Sequence, residues 1–125
     1  MSQILSRKAH LESEAGFWQY VWNIQARVAT FAGEPGLLMP YVPPCPTEDQ
    51  TSQDIQTAVR IAMEELVRKR VNHGDVSWRH VGFYRIKGVL KAVLYDFSKA
   101  RRWERGEVNT QATLLGDMLS RLGIQ

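Results

Sequence analysis

Residues 84–105 read YRIKGVLKAVLYDFSKARRWER, and this stretch decides the predicted fold because it joins a core pattern to most of the positive charge. At 100° per residue, the apolar side chains fall on one side of a helix. They are Ile86, Leu90, Val93, Phe97 and Ala100. The opposite side, which we call the basic-aromatic stripe, carries Tyr84, Lys87, Lys91, Tyr95, Lys99 and Arg102. The pattern predicts a helix from about Ser77 to Glu104, with a break near Gly82 left open.

Two further helices are predicted upstream of this stretch. The first runs from about Ser6 to Ala32, with Gly33 as its stop. Its apolar residues recur at spacings of three and four, namely Phe17, Val21, Ile24, Val28 and Phe31. The second runs from Thr51 or Ser52 to Asn72, and its buried side is Ile55, Val59, Ala62 and Leu66.

The segment 34–50 contains all five prolines, so it is predicted to connect helices rather than to form a helix or a central strand. The tripeptide at 73–75 reads as a helix end and turn, and a short last helix starts at Asn109 or Thr110. The predicted fold class is therefore all-α. We expect a compact bundle of four to five helices with a proline-rich crossover after the first, forming a single helical domain over residues 1–125.

Composition favours a globular protein, since 44% of the residues are hydrophobic and 23% are charged. The single cysteine, Cys45, cannot form an internal disulfide, which favours a reducing compartment. No apolar run approaches the length of about 18 residues that marks a membrane span, and no signal peptide is visible. We expect a cytoplasmic location without membrane contact.

Positive charge is concentrated in residues 68–105, where eleven Lys and Arg oppose three Asp and Glu for a net charge of +8. Such an asymmetry is informative about partners rather than about fold. It favours an anionic partner for this part of the chain.

Few residues suggest catalysis. His73, Asp75 and His80 form a possible but unspecific metal set, because they lack helical i,i+4 spacing or cysteine pairs. Cys45 has no neighbouring His or Cys. No glycine-rich phosphate loop or Gly-x-Ser-x-Gly motif is recognised. We expect a protein that is not an enzyme and that uses no cofactor and no metal.

The leading hypothesis is a non-catalytic accessory protein that binds nucleic acid, DNA or RNA, largely through phosphate contacts. The predicted contact residues are Tyr84, Lys87, Lys91, Tyr95, Lys99, Arg101, Arg102 and Arg105. The same cations could meet an acidic protein surface, or simply solvate an exposed helix.

The alternative is a protein–protein interaction adaptor or small inhibitor that docks on a larger complex, as a homo-oligomer in its simplest form. Its predicted partner interface is Trp18 and Trp22, because tryptophan dominates interface hot spots.

Overall fold

The computed structural model describes residues 2–103 and 110–124, in which helices are interleaved with short antiparallel strands. The described helices are α1 (Ser2–Phe17), α2 (Gln53–Arg68) and α3 (Thr110–Arg121). The described strands are β1 (Arg27–Phe31), β2 (Glu34–Leu38), β3 (Val71–Asn72), β4 (Val81–Ile86), β5 (Val89–Leu94) and β6 (Arg101–Arg102). The fold is mixed α/β, so the prediction of an all-α bundle is wrong.

The predicted third helix is replaced by a hairpin of β4 and β5, which pair antiparallel from Val81–Leu94 to Ile86–Val89. The turn consists of Lys87 at φ 50° and Gly88 at φ 79°. Positive φ at both central residues is what a type I′ turn requires, and that turn matches the twist of paired strands. The stretch 84–105 therefore changes direction at Lys87 and cannot present one helical face.

The hairpin is buried along much of its length because α2 packs on β5. Its interior residues include Val81, Phe83, Val93 and Leu94. The second helix is confirmed as an element, although it ends at Arg68, before the predicted end. Its buried side consists of Ala58, Val59, Ala62, Met63, Leu66 and Val67.

The predicted first helix is also divided. After α1 comes a π-helical turn, Trp18–Trp22, which ends at Asn23 in the left-handed conformation (φ 54°). The chain then forms β1, which pairs with β2 from Arg27–Leu38 to Phe31–Glu34. The prediction that residues 6–32 form one helix is therefore wrong.

The proline-rich segment, predicted as a crossover after the first helix, begins with β2 and continues as a packed stretch beside β4. Val42 is buried, and the carbonyl of Pro43 accepts a hydrogen bond from the Phe83 N–H at 3.0 Å. Gly82 makes this close approach possible, because a side chain at position 82 would overlap the backbone and side chain of Val42. The proline-rich segment thus helps to close the core.

A short sheet of β3 and β6 and the helix α3 complete the described fold. The short strands β3 and β6 pair through Val71–Arg102 and Asn72–Arg101. The predicted last helix is confirmed as α3, which packs against α2. Among the described residues, no helix combines the length and the apolar character that crossing a bilayer demands.

Candidate metal centre

Three side chains from two loops converge beside the β4–β5 hairpin. Asp75 and His80 lie in the loop before β4, and Asp96 follows β5. One potential ligand atom from each lies within 4.8 Å of the others. The antiparallel pairing explains the convergence, because the Tyr95 N–H, one residue past β5, donates to the His80 carbonyl at 2.9 Å. The hairpin thereby returns Asp96 to the loop that holds His80.

The imidazole of His80 is held by the loop that carries it. The side chain is 7% exposed, and Nδ1 lies 2.9 Å from the Asp75 carbonyl oxygen and 3.3 Å from Ser77 Oγ. Since a carbonyl oxygen only accepts, the short contact requires a proton on Nδ1. Nε2 faces Asp96 Oδ2 at 3.2 Å.

His73 fixes the position of the Asp75 loop relative to the segment that follows β5, because it is hydrogen-bonded to both. It is fully buried; its Nε2 donates to the Tyr95 carbonyl at 2.7 Å, and its Nδ1 accepts from the Asp75 N–H at 3.2 Å. Its ring also packs at 5.2 Å from that of Phe97. Burial lowers the pKa of His73, which favours the neutral ring that these two hydrogen bonds require.

Asp96 has a backbone in the left-handed region, at φ 61°. Ser98 Oγ donates to Asp96 Oδ1 at 2.7 Å. This hydrogen bond holds the pKa of Asp96 below its usual range. Asp96 therefore offers Oδ2 as an ionised oxygen toward His80.

Glu14 reaches from α1 to the same loop. Its carboxylate accepts the backbone N–H groups of Asp96, at 2.9 Å, and of Phe97. It also accepts Nε1 of Trp18 at 3.2 Å. Burial raises the pKa of Glu14, against the lowering effect of these three donors. The glutamate thus attaches α1 to the Asp96 loop.

A cleft of about 600 Å³ opens beside the three converging side chains. Its walls come from α1, from β2 with the residue that follows it, and from the loops around the candidate metal centre. They are His10, Leu11, Glu14, Leu37, Met39, His80, Tyr95, Asp96 and Ser98. This volume lies within the roughly 300–1,000 Å³ typical of small-molecule sites.

The basic-aromatic stripe is dispersed by the hairpin. Tyr84 and Lys91 lie opposite each other across β4 and β5, whereas Lys87 occupies the turn. The Tyr95 hydroxyl donates to the Arg79 carbonyl at 2.6 Å, so this ring belongs to the candidate metal centre.

The other predicted contact residues lie further along the chain. Lys99 is exposed, and Arg101 and Arg102 form β6. The Arg102 guanidinium stacks 3.7 Å from the centre of the Tyr20 ring. Arg105 lies outside the described residues. Of the described members, Tyr84 and Lys91 line one groove with Tyr20, against which Arg102 stacks, whereas Lys87, Tyr95, Lys99 and Arg101 do not line it. Nucleic-acid binding stays a prediction.

The two tryptophans of the predicted partner interface occupy different environments. Trp18 is fully buried. Trp22 is half-buried, and its Nε1 donates to the Leu94 carbonyl at 2.9 Å. A role in association stays a prediction for this pair.

Sequence reasoning missed Asp96 as a member of the candidate metal centre and Glu14 as the residue that attaches α1 to the Asp96 loop. The available signal was His73-x-Asp75-x4-His80, followed by a short hairpin pattern and then Asp96-Phe97. Reading residues 84–105 as a helix concealed it, because a continuous helix would carry Asp96 away from His80.

The fold and the candidate centre define a mixed α/β protein with a possible metal-binding cleft. The model of a protein family described as "Family of unknown function (DUF5898)" matches residues 2–84. This match covers about two thirds of the chain, which therefore belongs to that family. It includes Glu14, Asp75 and His80 and stops before Asp96. No curated protein matches the chain significantly.

Proposed function

We propose that this chain carries the metal-binding and base-bearing part of a phosphoryl-transfer site of the protein-kinase type. The observation that carries the proposal is the convergence of Asp75, His80 and Asp96 within 4.8 Å of one another. Phosphoryl transfer depends mainly on positioning and on charge stabilisation, which a base and metal-binding side chains supply.

The order of these groups along the chain supports the proposal. Protein kinases place their base in a catalytic loop, His-Arg-Asp-x4-Asn, and a metal-binding aspartate in a later Asp-Phe-Gly motif. Here the corresponding segments are His73-Gly74-Asp75-x4-His80 and Asp96-Phe97-Ser98. An antiparallel hairpin separates them and returns the second motif to the first.

Each side chain then has a chemical role. Asp75 is placed to accept the proton of an attacking hydroxyl group. Asp96 and His80 are the residues that would hold a divalent ion. Such an ion would neutralise the negative charge on the phosphate oxygens. His73 positions Asp75 through its backbone N–H.

Glu14 adds support from outside the two motifs. In protein kinases a helical glutamate forms an ion pair with a strand lysine that contacts the nucleotide phosphates, whereas the hydrogen-bond donors to Glu14 are N–H groups of Asp96, Phe97 and Trp18. Glu14 projects from α1 to the backbone of Asp96 and Phe97, at the edge of the 600 Å³ cleft. A nucleotide seated in this cleft would bring its phosphates near Asp96.

Three departures from the kinase pattern bear on activity. His80 stands where the motif has asparagine, Ser98 where it has glycine, and Gly74 where it has arginine. The 125 residues also contain no Gly-x-Gly-x-x-Gly sequence to cover phosphates. Binding of a metal–nucleotide complex is therefore the property to measure first. The need for a nucleotide, with the lone Cys45, favours the cytoplasm.

Titration with a fluorescent ATP analogue in the presence of MgCl₂ or MnCl₂ tests this proposal. The wild-type chain is expected to bind the analogue in a metal-dependent way, and Asp96→Asn is expected to weaken binding at least about tenfold. Asp117→Asn is the matched control, because Asp117 is exposed on α3. Absence of binding by the folded wild type, or equal binding by both variants, would overturn the proposal.

A second candidate function is polyanion binding in a groove between α2 and the β4–β5 hairpin. One specific observation favours it: Arg68, Lys69 and Lys91 line this groove with the rings of Tyr20 and Tyr84. Cations beside aromatic rings suit single-stranded nucleic acid. A gel shift at about 50 mM salt tests it, with binding expected to weaken steeply by 200 mM and in Lys91→Glu.

A further inference from the structure

We propose that the candidate centre selects a transition-metal ion over Mg²⁺, with His80 Nε2 as a direct ligand. This inference rests on the proposed function, because it assigns the ion of the same site. It follows from the hydrogen bond that fixes the tautomer of His80 and from the distance between His80 Nε2 and Asp96 Oδ2.

The tautomer of His80 leaves Nε2 as the free lone pair. Nδ1 carries the proton because the Asp75 carbonyl at 2.9 Å can only accept. A metal-ligating histidine usually donates a hydrogen bond from its other ring nitrogen to a carbonyl or carboxylate oxygen. This hydrogen bond fixes the orientation of the ring and makes the ligating nitrogen more basic. The Asp75 backbone already provides that support.

Nε2 and Asp96 Oδ2 then form a pair that needs a positive group between them. Both atoms are acceptors when the ring is neutral, yet they lie 3.2 Å apart and His80 is 7% exposed. Two facing lone pairs are unfavourable for the buried imidazole nitrogen, whereas the Asp96 side chain is 43% exposed. Either a second proton on the ring or a shared cation resolves the contact.

The distance suits a shared ion. With metal–ligand bonds of about 2.0–2.2 Å and angles of roughly 90–110°, two ligands of one ion lie about 2.9–3.5 Å apart. The Nε2–Oδ2 separation of 3.2 Å falls inside this range. Asp75 lies within 4.8 Å of both ligand atoms and stays unligated in this assignment, as its proposed role as the base requires.

An imidazole ligand changes which ion is preferred. Mg²⁺ favours an all-oxygen environment, whereas imidazole suits Zn²⁺ and similar transition-metal ions. Kinases have asparagine at this position, and its amide oxygen is a ligand of the type that Mg²⁺ prefers. His80 therefore biases this centre toward ions such as Co²⁺ and Zn²⁺.

The test is direct metal titration of the metal-free chain with CoCl₂, ZnCl₂ and MgCl₂, followed by calorimetry and by the visible absorption of bound Co²⁺. We expect Co²⁺ and Zn²⁺ to bind at least about tenfold more tightly than Mg²⁺. His80→Asn should lose about 10–100-fold in Co²⁺ affinity and keep its affinity for Mg²⁺. Asp117→Asn is the control, because Asp117 is exposed on α3, does not line this cleft and should leave both affinities unchanged.

The outcomes separate this inference from the proposed function. Wild-type preference for Mg²⁺, unaltered Co²⁺ binding by His80→Asn, or loss of Co²⁺ binding by Asp117→Asn overturns the assignment of His80. Mg²⁺-dependent binding of the fluorescent ATP analogue, measured separately, would still leave the proposed function standing. If the folded chain binds neither metals nor nucleotide, and imidazole NMR shows His80 doubly protonated, both fail and the contact with Asp96 is an ion pair.

Discussion

His73 is the residue whose protonation should most directly affect the stability of the folded chain. Burial lowers its pKa from the ordinary value of 6.5, so the unfolded chain binds the proton more readily than the folded chain does. Stability therefore rises with pH through this region. It should be complete above about pH 6.5 and decrease as the pH falls below that value.

Imidazole NMR of the metal-free chain, together with urea unfolding between pH 5 and 7.5, checks this prediction. The His73 signal should still report a neutral ring at pH 6.5, and the urea midpoint should fall on acidification. The same chain in concentrated urea supplies the reference titration. A His73 signal that is half protonated at or above pH 6.5 in the folded state would contradict it.

Gly82 is predicted to be intolerant of any side chain. A Cβ at this position would overlap the Val42 carbonyl oxygen and lie 2.6 Å from Val42 Cβ. Because Val42 is itself buried, neither group can move aside easily. We expect Gly82→Ala to destabilise the chain by about 1–3 kcal/mol.

Gly116→Ala provides the contrast for this measurement by urea unfolding. Gly116 lies in α3 and a Cβ there meets nothing within 4 Å, so alanine should stabilise the helix by about 0.5–1 kcal/mol. Equal effects of the two substitutions would show that the contact with Val42 is not restrictive.

At the level of elements, the sequence predicted α2 and α3 well and the hairpin poorly, for a physical reason. The predicted buried side of α2 repeats with a helical period; Val59, Ala62 and Leu66 are buried as expected, and Ile55 is partly buried. In β4 and β5 the three residues farthest from the turn are buried in succession and those next to the turn are exposed, so the alternation that marks a half-exposed strand is absent. Glycines at 82 and 88 were the remaining local signal, and Lys87-Gly88 is a less familiar turn pair than Asn-Gly.

Attachment of α1 to the candidate centre is predicted to depend on the charge of Glu14. A glutamine there keeps one accepting oxygen and turns an NH₂ group toward a backbone N–H, leaving a buried donor unpaired. We expect Glu14→Gln to destabilise the chain by about 1–3 kcal/mol.

Hydrogen exchange and urea unfolding together check the role of Glu14. The amides of Asp96 and Phe97 should exchange faster in Glu14→Gln than in the wild type. Glu12→Gln is the control, since Glu12 is exposed and pairs with Lys8 only at 4.0 Å; its effect should stay within about 0.5 kcal/mol. Unchanged exchange at Asp96 and Phe97 would argue against the attachment.

At the level of the whole molecule, the candidate centre could be predicted only in part. His73, Asp75 and His80 lie in one loop, so their proximity follows from the sequence alone. Asp96 and Glu14 reach the centre through the hairpin and through the packing of α1. Contacts between residues so far apart in sequence can be predicted only from the correct fold. Because residues 84–105 were interpreted as a helix, the contact of Asp96 with His80 was not predicted.

Because the candidate centre draws on separate parts of the chain, an ion bound there should stabilise the fold as a unit. The Asp75–His80 loop precedes the hairpin, Asp96 follows it, and Glu14 ties α1 to Asp96. A two-stranded hairpin is marginal by itself, so a ligand that joins its two ends acts on the cooperative structure. Ligand binding to the folded state alone adds about 2.7 kcal/mol at 100 times the dissociation constant.

For a chain of this length, that free energy corresponds to a rise in Tm of roughly 10 °C. The measurement is thermal unfolding with CoCl₂ at about 100 times its dissociation constant, and EDTA should reverse the shift. Asp96→Asn should lose most of the increase and Asp117→Asn should keep it, because Asp117 is exposed on α3. An equal rise in both variants would place the ion elsewhere, since only one of them alters a group that faces His80.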